Sequence, residues 1–383
     1  MEKLAIKGGI PIAEKMIPIA KPIFSKKAIF DVVKVLESGY VRQGPLTNEL
    51  EKKFSERIGC KYAYAVNSGT AALHTAYLSF LNPNDEVIVP AFTFIATASM
   101  VIYSSAKPVF ADIDKETFTI DPENVKKKIS SKTKAIAPVH LFGNAAKMNA
   151  LSEIAEDHNL SIVSDAAQAH GTEINGKDVG TYETLNCYSF YPTKTMTTGE
   201  GGMVTTNNKE LYERGKLIRS HGQKGKYYHP ILGLNYRMTD IAAAIGLDQL
   251  SKLDIYLKKR RFCGKFLREG INKIDGLYPQ KNSKGVNHSY SYFSLLIERE
   301  KFKCTRDEFI EALRAENIDC AVHYPIPLTK QPAITNLLKP KPCPVSEDVS
   351  KRIFSLPMHP QLTNEDLKTI LAGVEKVATY YYK

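Results

Sequence analysis

The sequence predicts an α/β fold with a mostly parallel central sheet, followed by a smaller α+β unit. Three observations predict it. Short apolar runs of strand length alternate with helix-length stretches up to about residue 205, the pattern of a parallel sheet covered by helices on both faces. The chemically suggestive residues stand at or beside the ends of those runs, where sites form in such sheets. Beyond residue 251 the alternation gives way to a different mixture of helices and strands.

At 383 residues the chain is long enough for two units with a large buried core. We place the boundary between 250 and 251: residues 1–250 form the larger unit with an N-terminal arm, and 251–383 the smaller one. Residues 1–24 read as an irregular arm, with prolines at 11, 18 and 22. Ser25 caps a helix to about Glu37, with Val32, Val33, Val35 and Leu36 as its apolar face, and Ser38-Gly39 ends it. After the Gly44-Pro45 turn a second helix runs from about Thr47 to Ile58.

Strands are expected at 62–66, 86–89, 108–111, 135–138, 161–164, 186–190 and 202–205. Helices follow from Ala71, from the segment Ala91 to Thr97, over 148–158 and over 210–219. A polar loop spans 220–236. One long helix is expected from about 239 to 269, its first turns rich in small residues (Ala242, Ala243, Ala244, Gly246) that allow close packing. The smaller unit reads as a strand at 290–297, a helix at 306–316, a strand at 320–323, a rigid Tyr324-Pro325-Ile326-Pro327 loop and a final helix over 364–380.

Composition narrows the function classes. No run of about 18 apolar residues exists, so no transmembrane helix is expected. The N-terminus lacks the apolar core of a signal peptide, which points to the cytoplasm. Six cysteines are scattered without a C-x-x-C pair, so neither a disulfide framework nor a zinc site is expected, and no metal is assigned. The formal net charge of +11 admits a nucleic-acid surface, an anionic small molecule or a solvated basic face. Its clusters, at 126–128 and 258–261, fit helix surfaces. No helix-turn-helix, zinc or RRM signature supports a DNA-binding regulator.

The stretch from Tyr188 to Gly202 breaks the hydrophobic pattern. Lys194 stands in its middle, between Ser189, Thr193, Thr195, Thr197 and Thr198, and glycines follow at 199, 201 and 202. Read alone, this is either a polar loop or the setting of a Schiff-base lysine. Two further features bear on the choice. Asn67-Ser68-Gly69-Thr70, between a strand and a helix start, has the geometry of an anion site, where free N–H groups and the helix dipole meet negative charge. It is no Walker motif, lacking the Gly-Lys-Ser/Thr ending. Asp165 ends a strand and leads into Ala166-Ala167-Gln168.

An imine between Lys194 and pyridoxal phosphate would need a carboxylate facing the ring nitrogen, a role that suits Asp165. Gln168 would hold the ring or its 3-hydroxyl. Gly69, Thr70 and Ser189 would bind the phosphate without a metal, and Phe94 would cover one ring face. Each residue has a plainer reading: Asp165 as a helix cap, Ser189 as a strand-end hydroxyl, Phe94 as core. Their joint occurrence in this order is the informative point.

At these residues the chain resembles the DegT/DnrJ/StrS sugar aminotransferases. The resemblance is carried by Asn67-Ser-Gly-Thr-Ala-Ala-Leu, Val89-Pro-Ala-Phe-Thr-Phe-Ile-Ala-Thr, Asp165-Ala-Ala-Gln-Ala-His-Gly, Ser189-Phe-Tyr-Pro-Thr-Lys with Gly199-Glu-Gly-Gly, and Gly233-Leu-Asn-Tyr-Arg-Met-Thr-Asp. It implies a fold type I (aspartate aminotransferase-like) enzyme that works as a homodimer on L-glutamate and a keto-sugar nucleotide. Lys194 and Asp165 are then catalytic, and Gly69, Thr70, Phe94, Gln168, Ser189 and Asn235 join them in holding pyridoxal phosphate. Asn235 would reach the phosphate bound by the partner chain. Some members of the family carry histidine at the lysine position and act as dehydratases; Lys194 favours amino transfer. The segment from Val322 to Ala333 resembles the subgroup that aminates C3 of UDP-2-acetamido-2-deoxy-3-oxo-glucuronate for glycan biosynthesis, with Arg237, His323 and Tyr324 as sugar-nucleotide contacts. A nucleotide-linked 4-keto-6-deoxy sugar is the alternative.

Overall fold

A computed structural model of the chain describes residues 3–182 and 184–383. The first layer is helical. α1 (Lys26–Ser38) starts where the Ser25 hydroxyl accepts the Ala28 N–H, and ends at Gly39, whose φ of 70° is a left-handed conformation open to glycine. Of the expected apolar face only Val35 is buried; Val33 and Leu36 remain exposed, and Phe24, Ile29 and Phe30 add to that exposed surface. α2 (Pro45–Ile58) begins two residues earlier than the sequence suggested, since Pro45 suits the first helical position. Its start is capped from afar: the Asp240 carboxylate accepts from the N–H groups of Gly44, Leu46 and Thr47 and from the Thr47 hydroxyl.

The chain then alternates as expected: β1 (Tyr62–Val66), α3 (Gly69–Leu78), β2 (Glu86–Pro90), α4 (Ala96–Tyr103), β3 (Lys107–Ala111), α5 (Pro122–Lys126), β4 (Thr133–Ile136), α6 (Met148–Asp157) and β5 (Ser161–Asp165). A two-residue hairpin, β6 (Glu173–Ile174) and β7 (Lys177–Asp178), precedes β8 (Leu185–Ser189) and β9 (Gly202–Thr206). Among the described residues the central sheet runs β1-β9-β8-β5-β4-β2-β3. Its strands are parallel except β9, which runs antiparallel to both neighbours, β1 and β8. Buried apolar residues on both faces, such as Ile88, Val89, Ile136, Ala137, Ile162 and Val163, explain the near-continuous hydrophobic runs.

The register of β9 positions the site. Gly202 pairs with Val66 at the end of β1 and with Ser189 at the end of β8. Asp165 at the end of β5 pairs with Cys187. Three strand ends therefore meet at one edge, and the segment carrying Lys194 bridges β8 and β9 over that edge.

After α7 (Lys209–Arg219) comes the polar segment 220–236, pinned at its base by N–H donors of His221, Leu234 and Tyr236. The single helix expected over 239–269 is two helices, α8 (Asp240–Ser251) and α9 (Leu253–Ile271). The break lies at Lys252 (φ −109°, ψ 0°), beside Ser251, whose hydroxyl donates to the Asp248 carbonyl at 2.7 Å. A side chain that captures a main-chain acceptor in this way competes with helix propagation.

A second core gathers around α9, β10 (Leu277–Pro279), β12 (Phe293–Ile297), α10 (Arg306–Ala315), β13 (Ile353–Leu356) and α13 (Asn364–Tyr381), while β11 (Val286–Asn287), α11 (Pro332–Thr335) and α12 (Pro344–Arg352) pack against other apolar clusters. β10, β12 and β13 form one sheet, whereas β11 pairs with β6. The strand expected at 320–323 does not form. Ala321 makes one bridge with Ser355, and the place beside β12 belongs to β13. The N-terminal arm contributes Leu4, Ala13 and Ile17 to this core. Buried Glu316 fixes it there, accepting from Ala5 N and Ile12 N and pairing with Lys376. Among the described residues no helix is long and apolar enough to cross a membrane. All six cysteines are free thiols.

Candidate active site

Between the convergent strand ends and the segments that carry Tyr292, His323 and Tyr324 lies a cavity of about 610 Å³. Nine of the residues singled out in the sequence line it: Gly69, Thr70, Phe94, Asp165, Gln168, Ser189, Lys194, His323 and Tyr324. Asn235 and Arg237 do not. Asn235 is exposed and bridges Ser220; Arg237 is half-buried and bridges Val66.

The anion turn is built as its sequence suggested, except that α3 starts at Gly69 rather than Ala71. Ser68 caps it, accepting from Ala71 N at 3.0 Å. The Gly69 and Thr70 N–H groups precede the first intrahelical acceptor and stand at the positive end of the helix. Glycine is required at 69 by close approach: a Cβ there would stand 2.6 Å from Ser189 Cβ and 3.0 Å from its hydroxyl.

Asp165 is buried and fully held. Its Oδ2 accepts from the Thr97 hydroxyl at 2.7 Å and its Oδ1 from Ala167 N at 3.1 Å. Burial pushes its carboxyl above the ordinary range; Thr97, Ala167 and the charge of Lys194 partly offset this. The bond from Ala167 N closes a turn, no helix follows for Asp165 to cap, and the carboxylate faces the cavity.

Lys194 faces the same space. Burial lowers its amine to about 8, and Asp165 pulls in the opposite direction. Its Nζ lies 5.9 Å from the centre of the Tyr292 ring. Gln168 has both amide atoms engaged: Oε1 accepts from Phe142 N at 2.6 Å, and Nε2 donates to the Tyr324 hydroxyl at 3.2 Å. Phe94 is 53% exposed, so it is a cavity wall and not a core residue. Its ring lies 6.0 Å from that of Tyr324.

Some lining residues had no distinct sequence signal. Thr97 and Thr93 lie in the quoted motif, but hydroxyls in an apolar helix start look like ordinary helix residues. Tyr292, just before β12, shares a hydrogen bond of 2.7 Å with the Thr193 hydroxyl. Glu200, part of the glycine turn, also lines the cavity. His323 has a buried Nδ1 without a protein partner among the described residues; burial, and then Lys194, hold its ring near 4, so it is neutral at ordinary pH.

Comparison with known proteins agrees with this geometry. Residues 22–375 match the DegT/DnrJ/EryC1/StrS aminotransferase family. GDP-perosamine synthase of Escherichia coli O157:H7 is 36% identical, covering 94% of this chain and 98% of its own. UDP-2-acetamido-2-deoxy-3-oxo-D-glucuronate aminotransferase of Pseudomonas aeruginosa is 34% identical, covering 90% and 94%. The solved structure of Helicobacter pylori PseC, an aminotransferase involved in the biosynthesis of pseudoaminic acid, superposes with a TM-score of 0.91 at 30% identity, covering 96% of this chain and all of that one. With the lysine, the carboxylate and the anion turn gathered at one sheet edge, the chain belongs to the DegT/DnrJ/EryC1/StrS family of pyridoxal-phosphate-dependent, fold type I sugar aminotransferases.

Proposed function

We propose that this chain transfers an amino group from L-glutamate to C3 of UDP-2-acetamido-2-deoxy-3-oxo-glucuronate, in the synthesis of a surface glycan and in the cytoplasm. The observation that carries the amino-transfer reading is that Lys194 and Asp165 line one cavity together with Gly69 at the glycine-fitted start of α3.

The residues present fit pyridoxal phosphate. The Gly69–Ser189 approach leaves a cradle that a Cβ would fill, with N–H and hydroxyl donors around it. Asp165 supplies a buried carboxylate, Gln168 an amide and Phe94 an exposed ring face. The group, when bound, supplies an electron sink for bond breaking at the donor α-carbon. Asp165 keeps the ring nitrogen protonated. Lys194 Nζ takes the α-proton of the donor and returns a proton when the sugar is aminated. An amine lowered to about 8 can serve as base and acid near neutral pH. Gln168 is held at both ends and so cannot rotate away from the ring.

We read the site as shared between two copies of the chain. Asn235 is exposed and outside the cavity of its own chain, which supports a reach into the partner's site. The exposed apolar side chains Phe24, Ile29, Phe30, Val33 and Leu36 support burial against a second copy. In that arrangement Arg237 would grip the uronate carboxylate or the diphosphate, with His323 and Tyr324 on the sugar.

A second reading, amination at C4 of a nucleotide-linked 4-keto-6-deoxy sugar, has its own support. Among the described residues no arginine lines the cavity of one chain, and such a sugar carries no carboxylate to grip. GDP-perosamine synthase is also at least as similar as the uronate enzyme. The test is to incubate the holoenzyme with glutamate labelled at nitrogen and a panel of both sugar classes, and to identify products by mass spectrometry. Label in the 3-oxo-uronate product supports the first reading; label only in a 6-deoxy sugar selects the second. Products without nitrogen would indicate a dehydratase and overturn both.

A further inference from the structure

Lys194 borders a second space. Beside the large cavity, and sharing Lys194 with it, lies a pocket of about 20 Å³ lined by Thr195, Gln249, Tyr256, Arg260, Pro360 and residues 20–23. Two polar atoms on these walls, Thr195 Oγ1 and Arg260 Nε, have no protein partner among the described residues, and the Tyr256 hydroxyl beside them meets only the Gln249 side chain. Thr195, Arg260 and Tyr256 are only 3%, 3% and 7% exposed. Buried polar atoms are normally satisfied, and leaving one without a partner is costly.

The neighbouring groups are already committed. Gln249 Oε1 accepts from Thr197 N at 3.4 Å, and its Nε2 donates to Ile23 O at 2.6 Å. The Thr197 hydroxyl donates to Phe190 O. Arg260 Nη1 is spent on the carbonyls of Tyr290, Ser291 and Met358. A space of this size suits one water, which needs two to four polar partners. Two hydroxyls that donate or accept, and one N–H that donates, are such a set. No carboxylate lines the space, and Lys194 and Arg260 both bring positive charge, so the chemistry rejects a metal cation.

We propose that this pocket is a water site beside Lys194 through which the amine exchanges protons with solvent, by a route separate from the substrate cavity. The proposal rests on the reading of Lys194 as proton carrier. In the exchange an Nζ–H bond breaks as the water oxygen takes the proton, and an O–H bond breaks as Nζ regains one. Bonds are traded one for one, and no electron is gained or lost. The pocket is lined by residues 20–23, of which Lys21 and Pro22 are exposed, so solvent stands one residue's thickness away. Without this exchange, a closed substrate cavity would hold the proton of the donor on Lys194 until it was returned.

Two measurements test this. The first is a crystal structure of the holoenzyme. An ordered water bonded to Thr195 Oγ1 and the Tyr256 hydroxyl supports the proposal; a dry pocket overturns it. So does a halide, read from bromide anomalous scattering. The second is solvent exchange in D2O with glutamate, comparing loss of the glutamate α-proton with oxoglutarate formation by NMR. In Thr195→Val and Tyr256→Phe that ratio falls by roughly fivefold or more, and Thr195→Ser restores it. An unchanged ratio overturns the exchange route. If the wild type neither exchanges nor forms oxoglutarate, the aminotransferase reading fails and with it the route, while the crystal structure still decides the water site.

Discussion

The cavity has two unlike walls. On the sheet side, Asp165, Ser189 and Gly69 stand on or beside strand ends whose register is fixed by main-chain pairing, and Asp165 has both oxygens engaged. The opposite wall, from the segments beside β12 and after residue 322, presents the rings of Tyr292, His323 and Tyr324. Two side-chain bonds tie it to the first: Thr193 to Tyr292, and Gln168 to Tyr324. The first wall is held by strand pairing and hydrogen bonds and offers charge. The second offers shape and aromatic surface. We take the sheet wall to carry the chemistry common to amino transfer, and the aromatic wall to carry the choice of sugar.

Substitutions on the sheet side should therefore collapse turnover, whatever the sugar. Lys194→Ala is expected to lower kcat by about a thousandfold or more and to abolish the yellow imine absorbance. Asp165→Asn should keep that colour but cost about a hundredfold in kcat, because a neutral amide does not hold the ring nitrogen protonated. If either variant changed KM for the sugar and left kcat intact, the division between the walls would be wrong.

Gly69→Ala attacks the same wall by volume alone. The new Cβ would stand 2.6 Å from Ser189 Cβ and 3.2 Å from its Cα, so β8 and α3 must separate. Overpacking of this kind costs about 1–3 kcal/mol, which weakens cofactor affinity by about tenfold to a hundredfold. Spectrophotometric titration of the apoprotein reads it. On the other wall, Tyr324→Phe removes one bond to Gln168 and should raise KM for the sugar nucleotide by less than about tenfold, with kcat nearly kept. Equal loss of kcat in this variant would mean that Tyr324 serves the cofactor through Gln168.

The same contrast decides what could be read from the sequence. The sheet wall was legible because each part is local: a strand run, then a turn of small and hydroxyl residues, or a strand-end acid. Its assembly followed from the rule that parallel strands present their carboxyl ends together. The aromatic wall depends on packing between distant segments. Tyr292 has no motif around it, and 320–323 has strand composition but lost its place to β13. That strand, Ile353–Leu356, follows α12 with no turn residue between them, so no punctuation marked it. The α8–α9 break was hidden because a lone serine hydroxyl captured a carbonyl. That Asn235 and Arg237 lie outside the cavity could not be read from local pattern either, since it depends on where the 220–236 segment folds back.

The smallest effect tests how dry the sheet wall is. Lys194 is lowered from an ordinary 10.5 to about 8, chiefly by burial. Between those two pH values an unfolded chain keeps the proton on this amine and the folded chain does not. The unfolded state therefore binds more protons, and folding stability gains with rising pH across that window. Below about 8 both states are protonated, so the contribution is a constant penalty there. Urea unfolding of the apoprotein, compared with Lys194→Met across the window, isolates this one group, because the other titrations cancel in the difference. The wild type should gain on the variant as pH rises, with a slope of at most ~1.4 kcal/mol per pH unit. A flat difference would mean that the amine is hydrated well enough to keep its ordinary proton affinity. Lys194 would then be a solvent-facing residue, and its fitness as a base near neutral pH would have to come from the bound cofactor and not from the fold.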